Sequence, residues 1–394
     1  MVKVISIFFL YSSIILPTGI FLGINIKILS VFLFLLSFCI EKKFYVFSSI
    51  IKNMLPVLIF ILLLIFYSFF VNNNTELVFF QARDIITFFV VCIIINSYFN
   101  NSEMSDKALY HISNALVISA IIKLFIIAYS VMFSVPIIQA VKSYGAFFET
   151  SLMTYAVEDS VIGRIQFTSD SAIPFILFYF IDSFFKGKNQ KLPYVKIAFL
   201  TISIFLGMSR FYWGVSAFFV SIAFLSNIRD KKSYILVIAV FICGLLLAST
   251  EYVQSAFSTR FSESTTTSSD LTRVIQLDRI EDKINLRPIL GNGLGYYIPD
   301  YLRSYDMKYS YELQVPALTM QIGFCGVFIL LLILISPILN GIIHKYYFPS
   351  LIAFIMFVAW FMSGFFNPVL FSSAGGIAYS TIIQILRRSQ AVNQ

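Results

Sequence analysis

Five arginines are crowded into residues 250–314, a stretch of the chain that is too polar to lie inside a membrane. They are Arg260, Arg273, Arg279, Arg287 and Arg303. The guanidinium group is planar and grips a phosphate or a carboxylate through two parallel hydrogen bonds. The segment therefore predicts an anion-binding site. The alternative is that these arginines pair with neighbouring acidic residues on an ordinary surface.

A glycine-rich run comes shortly after Arg287. It contains Gly291, Gly293 and Gly295 and is followed by two tyrosines. Glycine lets the backbone approach a ligand closely, and the backbone N–H groups of such a turn can bind phosphate. The alternative is a simple turn that connects a helix to the next membrane segment.

A general base on the predicted outer side of the membrane would have to be a carboxylate. The chain has two histidines, His111 and His344, and both fall on the predicted cytoplasmic side. The candidate carboxylates are Glu158, Asp159, Asp170, Asp270, Asp278, Glu281, Asp282, Asp300, Asp306 and Glu312. Glu312 is the best placed of them, because it directly precedes a predicted membrane span and would lie at the mouth of a membrane cavity.

An amphipathic helix is predicted to carry part of the site. Apolar residues recur at helical spacing from Leu271 to Ile284, and Asp270 is placed to cap the helix N-terminus. The Ser/Thr-rich tract before it, residues 262–269, is predicted to be flexible. Because Arg273 and Arg287 are fourteen residues apart, close to four turns, they should lie roughly on one face.

The remainder of the chain is strongly apolar. Of its 394 residues 59 % are hydrophobic and 12 % charged, whereas soluble domains carry about 25 % charged residues. This composition predicts an all-α, polytopic integral membrane protein that forms a single transmembrane domain over residues 1–394, with about 12 (10–12) transmembrane helices. The predicted spans are 4–23, 27–40, 55–71, 85–99, 109–134, 171–185, 194–208, 211–227, 233–249, 315–335, 350–366 and 369–386. The last of them is expected to be broken by Gly375 and Gly376.

The distribution of positive charge predicts that both termini are cytoplasmic. Two outer loops result, a smaller one at 135–170 and a large one at 250–314 between the ninth and tenth spans. On this topology lysines predominate on the inner side and arginines on the outer side. Since lysine suffices to fix topology, the outer arginine bias favours an extracytoplasmic anion site.

Two further cations lie elsewhere in the chain. Arg210 falls at the outer end of a tight hairpin between two spans, where it is either a surface anchor or a ligand for a lipid-borne phosphate. Lys123 falls in the middle of a span. It either pairs within the bundle or marks a pathway, which keeps a transporter as an alternative.

These residues resemble those of the bacterial O-antigen polymerase (Wzy) family, which is related to the O-antigen ligases. The resemblance covers the whole topology and rests on three short motifs. They are Met208-Ser209-Arg210, Arg273 followed by Arg287-Pro288-Ile289-Leu290-Gly291-Asn292-Gly293-Leu294-Gly295, and Gln321-Ile322-Gly323-Phe324-Cys325-Gly326. Ligases have a histidine where this chain has Glu312, and that difference favours the polymerase.

The resemblance implies a substrate, an undecaprenyl-diphosphate-linked oligosaccharide at the outer face of the bacterial inner membrane. The growing chain would pass from its lipid diphosphate to the non-reducing end of a new repeat unit. Arginines would stabilise the leaving diphosphate, Glu312 would orient or deprotonate the acceptor hydroxyl, and tyrosines could stack on sugar rings. The implied catalytic residues are Glu312, Arg210, Arg273 and Arg287, and the implied substrate-binding residues are Arg164, Arg279, Gly291, Gly293, Gly295, Tyr296 and Tyr297.

The resemblance also bears on cofactors and partners. No cofactor and no metal is expected, because the lipid-diphosphate donor is already activated, and no nucleic acid is expected as a partner. Whether a Wzz-type chain-length regulator docks on the protein stays open. The alternatives are a ligase that uses lipid A–core as acceptor, and a non-enzymatic flippase, which should carry its charges through the membrane cavity rather than in one outer loop.

Overall fold

The computed structural model describes residues 1–394 except 18–19, 22, 151, 153, 155–162, 187–192, 228–253, 255–257, 259–262, 306 and 393–394. The predicted ninth span at 233–249 lies outside these described residues. So do four residues named above, Glu158, Asp159, Arg260 and Asp306.

The described chain is mostly helical, as predicted. Its α-helices are α1 (Val2–Ile15), α2 (Ile26–Ile40), α3 (Phe44–Phe70), α4 (Thr75–Tyr98), α5 (Ser102–Met132), α6 (Ile137–Phe147), α7 (Ile173–Phe185), α8 (Tyr194–Leu206), α9 (Arg210–Leu225), α10 (Glu263–Leu286), α11 (Gln314–Ile343), α12 (Tyr347–Met362) and α13 (Ser373–Val392). Short 3-10 helices cover Thr168–Ala172 and Ser363–Phe365, and strands β1 (Ile20–Phe21) and β2 (Ile24–Asn25) pair antiparallel.

Five of these helices are long and apolar enough to cross a membrane: α3, α4, α5, α11, and α12 extended by its 3-10 turn. Each has at least 18 residues, close to the roughly 20 that a bilayer requires. The helices also expose many large apolar side chains, among them Phe66, Phe125 and Phe328. The protein is therefore of the helical membrane type.

The chain separates into two compact units. The first unit comprises Met1–Ser37 and Leu109–Thr266. Helix α7 packs against α9 at its centre, where the rings of Phe175 and Phe178 meet that of Phe219. Helix α7 lies almost entirely within the unit, because nearly all of its side chains are buried.

The second unit comprises Phe38–Ala108 and Thr267–Gln394. Helix α4 packs against both α3 and α13, and α13 packs in turn against α11 and α12. An aromatic cluster of Phe88, Trp360 and Tyr379 joins α4, α12 and α13. This unit contains residues 267–314 of the arginine-rich segment.

Three local expectations were wrong. The first predicted span, 4–23, ends as a helix at Ile15, because Pro17 cannot continue the hydrogen-bond ladder. The last predicted span is not broken at Gly375 and Gly376. Helix α13 runs through both glycines, and a Cβ at Gly376 would meet the backbone oxygen of Phe88 at 2.9 Å. The glycines thus allow α13 to approach α4 closely.

The third correction concerns the start of α10. The helix begins at Glu263 instead of Asp270, so the Ser/Thr-rich tract is mostly helical and Asp270 is not a cap. The predicted apolar face is also only partly buried. Ile280 is fully covered, but Leu271 and Val274 are more than half exposed. The buried position beside Ile280 is taken instead by an uncharged polar residue, Gln276.

Candidate functional site

The candidate site is built around Arg273, which lies in helix α10. Its side chain is only 20 % exposed, compared with 51 % for Arg279 further along the same helix. One guanidinium nitrogen, Nη1, contacts Oδ1 of Asp270 at 3.1 Å. The guanidinium carbon lies 5.7 Å from the centre of the Phe366 ring, a cation–π arrangement that covers one face of the arginine.

Glu312 lies between two arginines. Its Oε1 is 3.7 Å from Nη2 of Arg273, and its Oε2 is 3.5 Å from Nη2 of Arg303. Its side chain is 16 % exposed. Direct charge-assisted hydrogen bonds are shorter, at about 2.7–2.9 Å. Glu312 therefore attracts both arginines without forming a short hydrogen bond to either of them. A second anion with more oxygens could bind between the same guanidinium groups.

Two buried donors in this region lack an acceptor. Nε of Arg273 and Nε2 of Gln276 have no hydrogen-bond partner within the described part of the chain. The two residues are three apart on one helix and therefore share a face. Gln276 is itself held in place, since its Oε1 accepts the backbone N–H of Leu313 at 2.8 Å. Buried donors are normally satisfied, so this face of α10 is suited to a ligand that supplies oxygen atoms.

Arg287 is not part of this cluster. Helix α10 ends at Leu286, so Arg287 lies just beyond the helix and is exposed to solvent. Arg273 is thirteen residues before the helix end, about 20 Å away along the axis. One phosphate group cannot span that distance, although two separate phosphates could. Arg279 also lies apart from the cluster, where it pairs with Asp300 at 3.3 Å on an exposed surface.

All three glycines of the run adopt left-handed backbone conformations. The φ angles of Gly291, Gly293 and Gly295 are 72°, 89° and 73°, values that favour glycine. A Cβ at Gly295 would lie 2.6 Å from the backbone nitrogen of Val78, and one at Gly293 would lie 2.6 Å from Nδ2 of Asn73. Close packing of this loop against helices α3 and α4 therefore requires glycine at these positions.

The backbone N–H groups of the loop are already engaged. Those of Asn292 and Gly293 donate to the carbonyl groups of Met320 and Gln321, at 2.9 and 2.7 Å. The N–H of Leu294 donates to Oγ of Ser68 at 2.7 Å. The geometry thus favours the simpler of the two interpretations of the glycines, a tight connection that anchors the loop, over a cradle of free N–H groups for phosphate.

A pair of buried glutamines completes the anchor. Oε1 of Gln81 accepts the N–H of Gly295 at 2.6 Å, and Nε2 of Gln81 donates to Oε1 of Gln321. Nε2 of Gln321 then donates to the carbonyl groups of Tyr296 and Tyr309, at 3.1 and 3.0 Å. Both glutamines therefore use their amide groups to hold the segment that follows the glycines, and that segment leads to Glu312.

The tyrosines of the loop differ in their surroundings. Tyr296 and Tyr297 are half-buried, and Nζ of Lys308 lies 5.4 Å from the centre of the Tyr297 ring. The hydroxyl group of Tyr309 donates to Oδ2 of Asp84 at 2.7 Å. Burial and the neighbouring carboxylate of Asp84 both raise the pKa of Tyr309 well above its usual value. Burial raises the pKa of Tyr311 to about 12.

The two remaining predicted site arginines belong to the first unit. Arg210 is the first residue of α9, after a tight turn that begins where α8 ends at Leu206, and Oγ of Ser209 accepts the N–H of Tyr212 at 3.5 Å. The predicted hairpin is thus present. Arg164 contacts Oε1 of Gln166, in a segment whose Ile165 N–H donates to the carbonyl of Leu206.

Lys123 is paired within the first unit. Its Nζ is 2.6 Å from Oδ2 of Asp170 and 3.1 Å from the carbonyl oxygen of Ser203, and both charged side chains are buried. The ring of Phe167 lies 5.2 Å from the same nitrogen. The three N–H groups of the ammonium therefore have three neighbours. Of the two alternatives for Lys123, this geometry favours pairing within the bundle over a transport pathway.

Sequence reasoning missed two members of the cluster. Arg303 was counted among the loop arginines but was not singled out, because nothing in its position predicts that it meets Glu312. Gln276 was overlooked, although an amide on the face of a predicted amphipathic helix is a recognisable signal. Among the described residues no group of His, Cys, Asp and Glu is arranged to hold a metal ion.

Comparison with known proteins yields no relative. No protein family, no characterised protein and no solved structure matches this chain.

Proposed function

We propose that this protein is an O-antigen polymerase. It transfers a growing polysaccharide from undecaprenyl diphosphate to a new lipid-linked repeat unit at the periplasmic face of the inner membrane. The observation that carries the proposal is the cluster of Arg273, Arg303 and Glu312. It combines loosely paired guanidinium groups with buried donors that lack acceptors, as expected for a site that binds a phosphate-bearing substrate.

The arginines act on the leaving group. As the bond between the anomeric carbon and the diphosphate oxygen breaks, negative charge builds on the lipid diphosphate. Preorganised guanidinium groups stabilise that charge more strongly in the transition state than in the ground state. Arg273 is suited to this role because packing against Phe366 and its place on a helix restrict its motion. Arg279 and Arg287, which belong to the same unit as Arg273, are the further candidates for contacts with the two lipid diphosphates.

Glu312 acts on the acceptor. The hydroxyl oxygen at the non-reducing end of the new repeat unit forms the bond to the anomeric carbon, and its proton passes to a base. Glu312 is the carboxylate that contacts both arginines of the cluster. Once diphosphate binds to those arginines, the carboxylate is released from them and becomes available to the acceptor hydroxyl. Undecaprenyl diphosphate leaves, so atoms and charge balance without a cofactor.

The topology that accompanies this function has about 12 spans. Both termini are cytoplasmic, and the arginine-rich segment lies in the periplasm. Five long apolar helices support a membrane location. The concentration of arginine on one side of the predicted topology supports the placing of the site outside the cytoplasm.

Deletion of the gene in its own host tests the function. The surface polysaccharide is then resolved on a gel. Lipid A–core that carries a single repeat unit is the expected product, because flipping and ligation continue without polymerisation. Bare core with long polymer still on its lipid carrier would instead identify a ligase. Bare core with unpolymerised units retained inside the cell would identify a flippase, and an unchanged ladder would contradict all three functions.

A further inference from the structure

The second unit contains a cavity of about 780 Å³ at the end of its bundle opposite the glycine loop. Its lining residues belong to α3, α4, α11 and α13. The glycine loop contacts α3 near Ser68, whereas the cavity contacts α3 near Lys52. These positions are about 24 Å apart along the helix. The cavity is therefore distant from the glycine loop, and none of Arg273, Arg303 and Glu312 lines it.

Polarity changes along the cavity in the same direction on all four helices. Towards the middle of the bundle the lining is apolar, with residues such as Val57, Phe89 and Leu332. Towards the end of the bundle it becomes polar on every wall. The polar lining residues at that end are Lys52, Asn53, Asn96, Ser97, Ser336, Asn340 and Arg387. A ligand that fits this gradient has an apolar body and a polar head.

The polar end carries positive charge that no described carboxylate neutralises. No Asp or Glu among the described residues lines the cavity. Neither Lys52 nor Arg387 forms an ion pair within the described residues. One nitrogen of Arg387, Nη1, donates to the carbonyl groups of Asn96 and Phe99, which end helix α4. Lys52 makes no such contact and is exposed. The head of the ligand should therefore be an anion.

We propose that this cavity binds one anionic phospholipid. The phosphate group lies between Lys52 and Arg387, the amides of Asn53, Asn96 and Asn340 contact its glycerol and ester oxygens, and one acyl chain follows the apolar lining between α3 and α11. Basic pockets between membrane helices commonly bind anionic lipid head groups. The volume suits this occupant, because small-molecule sites span about 300–1,000 Å³. The proposal does not depend on the polymerase function.

Lipid retention by the full-length purified protein tests the proposal. The protein is exchanged into detergent with phosphatidylglycerol or with phosphatidylcholine of the same chains, and the lipid that stays bound is measured by native mass spectrometry. We expect one phosphatidylglycerol to be retained about tenfold more than phosphatidylcholine, which corresponds to one charge-assisted hydrogen bond. Equal retention of the two lipids would overturn the proposal.

Variants of Lys52 locate the site. Lys52→Gln should lower phosphatidylglycerol retention by about tenfold, and Lys52→Arg should preserve it. The matched control is Lys42→Gln, which removes the same charge from an exposed lysine that does not line the cavity. An equal loss in the control would show that the effect is general surface charge and would overturn the proposal.

Two competitors decide the identity of the occupant. Glycerol 3-phosphate carries the head-group charge without chains and should not displace the bound lipid. Undecaprenyl phosphate carries one long isoprenoid chain and should not displace it either. Displacement by glycerol 3-phosphate would mean that the site binds a free phosphate, and displacement by undecaprenyl phosphate would mean a polyprenyl site. Either result would overturn the choice of a diacyl phospholipid.

Discussion

Arg273 differs from the other described arginines of residues 250–314 in how completely its charge is enclosed. Its guanidinium faces Asp270, Glu312 and the Phe366 ring, and its Nε is buried without an acceptor. Arg287, by contrast, is exposed. An enclosed guanidinium acts at a lower effective dielectric constant and stabilises a developing negative charge more strongly. Arg273 is therefore the single residue on which the proposed chemistry depends most.

Replacement of Arg273 should abolish polymerisation. We expect Arg273→Ala to lower the elongation rate by about 10²–10³-fold, the usual cost of removing one electrostatic stabiliser of a transition state. Arg273→Lys should recover little of this, because lysine lacks both the planar fork and the Nε donor. The measurement is the length distribution of surface polysaccharide in a deletion strain that expresses each variant at matched protein levels.

The control for that series is Lys142→Ala, an exposed cation on α6 without an ion pair within the described chain. It should leave the length distribution unchanged. Full-length polymer from Arg273→Ala would remove Arg273 from the proposed mechanism.

The buried pair of Lys123 and Asp170 should behave as a structural unit. Lys123→Met leaves the Asp170 carboxylate buried and unpaired, which typically costs about 3–5 kcal/mol of stability. The double variant Lys123→Met/Asp170→Asn removes both charges and should recover most of that loss. The measurement is thermal unfolding of the purified proteins in detergent. A double variant as unstable as the single one would contradict the pairing, and a stable double variant without activity would revive the pathway interpretation.

For individual residues, the sequence indicated candidate side chains but few of the contacts between them. Arg273 and Glu312 were selected from residue type and position alone, and the structure brings them together. Arg303 could not be selected, because its approach to Glu312 depends on the path of the loop between residues 296 and 312. Arg287 lies just beyond the end of helix α10 at Leu286, so it does not share a helical face with Arg273 as the sequence predicted.

Among the elements, the loop of residues 287–295 and the kink in α11 position the site together. Gly323 in α11 has a φ of 69° and a ψ of 174°, outside the helical range. The N–H groups of Phe324 and Cys325, which a regular helix would use, donate instead to the carbonyl groups of Pro288 and Ile289, at 2.9 and 3.1 Å. The kink thus serves as the docking surface for the loop.

Substitution of Gly323 should destabilise the protein. A Cβ at this position would collide with the carbonyl oxygen of Ile289 and would also be strained by the positive φ. Strain of this kind costs on the order of 1–3 kcal/mol, and the collision adds to it. We expect Gly323→Ala to lower the unfolding temperature in detergent and to reduce polymer length as Glu312 loses its position.

Gly214 in helix α9 provides the matched substitution. It has ordinary helical geometry, and a Cβ there meets nothing within 4 Å. Gly214→Ala should therefore be neutral or stabilising by roughly 0.5–1 kcal/mol. If Gly323→Ala melts at the same temperature as Gly214→Ala, the kink is not required for loop docking.

The contact between Tyr309 and α4 predicts a dependence on alkaline pH. The folded pKa of Tyr309 is raised above the value of an unfolded tyrosine, which is about 10. Its contribution to stability is therefore complete below pH of about 10 and is lost as the pH rises further, by up to about 1.4 kcal/mol per pH unit. Tyr309→Phe should flatten part of this decline in unfolding experiments between pH 8 and 11.

Tyr305 serves as the comparison for Tyr309, because its side chain is 84 % exposed. Tyr305→Phe should leave the alkaline decline as it is in the unmodified protein. Identical profiles for both variants would show that the bond between Tyr309 and Asp84 does not account for the pH dependence.

The start of helix α10 and the hydrogen-bond partners of the glycine loop could not be predicted from local sequence patterns. Helix α10 was predicted from apolar spacing that begins at Leu271, yet the helix begins at Glu263 and leaves Leu271 and Val274 exposed. The glycines were recognised, but the N–H groups that were expected to be free are bonded to Ser68, Gln81, Met320 and Gln321. These acceptors are far away in sequence, so no local pattern could identify them.

For the whole molecule, composition alone predicted the class of protein correctly. A chain with 59 % hydrophobic residues folds into long apolar helices, and five of them are of membrane-spanning length in the described chain. The division into two units was not visible in the sequence, because no linker or change in composition marks it. The count of about 12 spans stays a prediction, in part because the predicted ninth span lies outside the described residues.

Reconstitution tests directly whether the protein polymerises lipid-linked repeat units. The purified protein is placed in liposomes with an undecaprenyl-diphosphate-linked repeat unit, without nucleotide and in the presence of a metal chelator, and the products are separated by length. If the protein is a polymerase, the unmodified protein makes a ladder of lipid-linked oligosaccharides and Arg273→Ala does not. Single repeat units that remain unjoined in the presence of folded, unmodified protein would contradict the polymerase function.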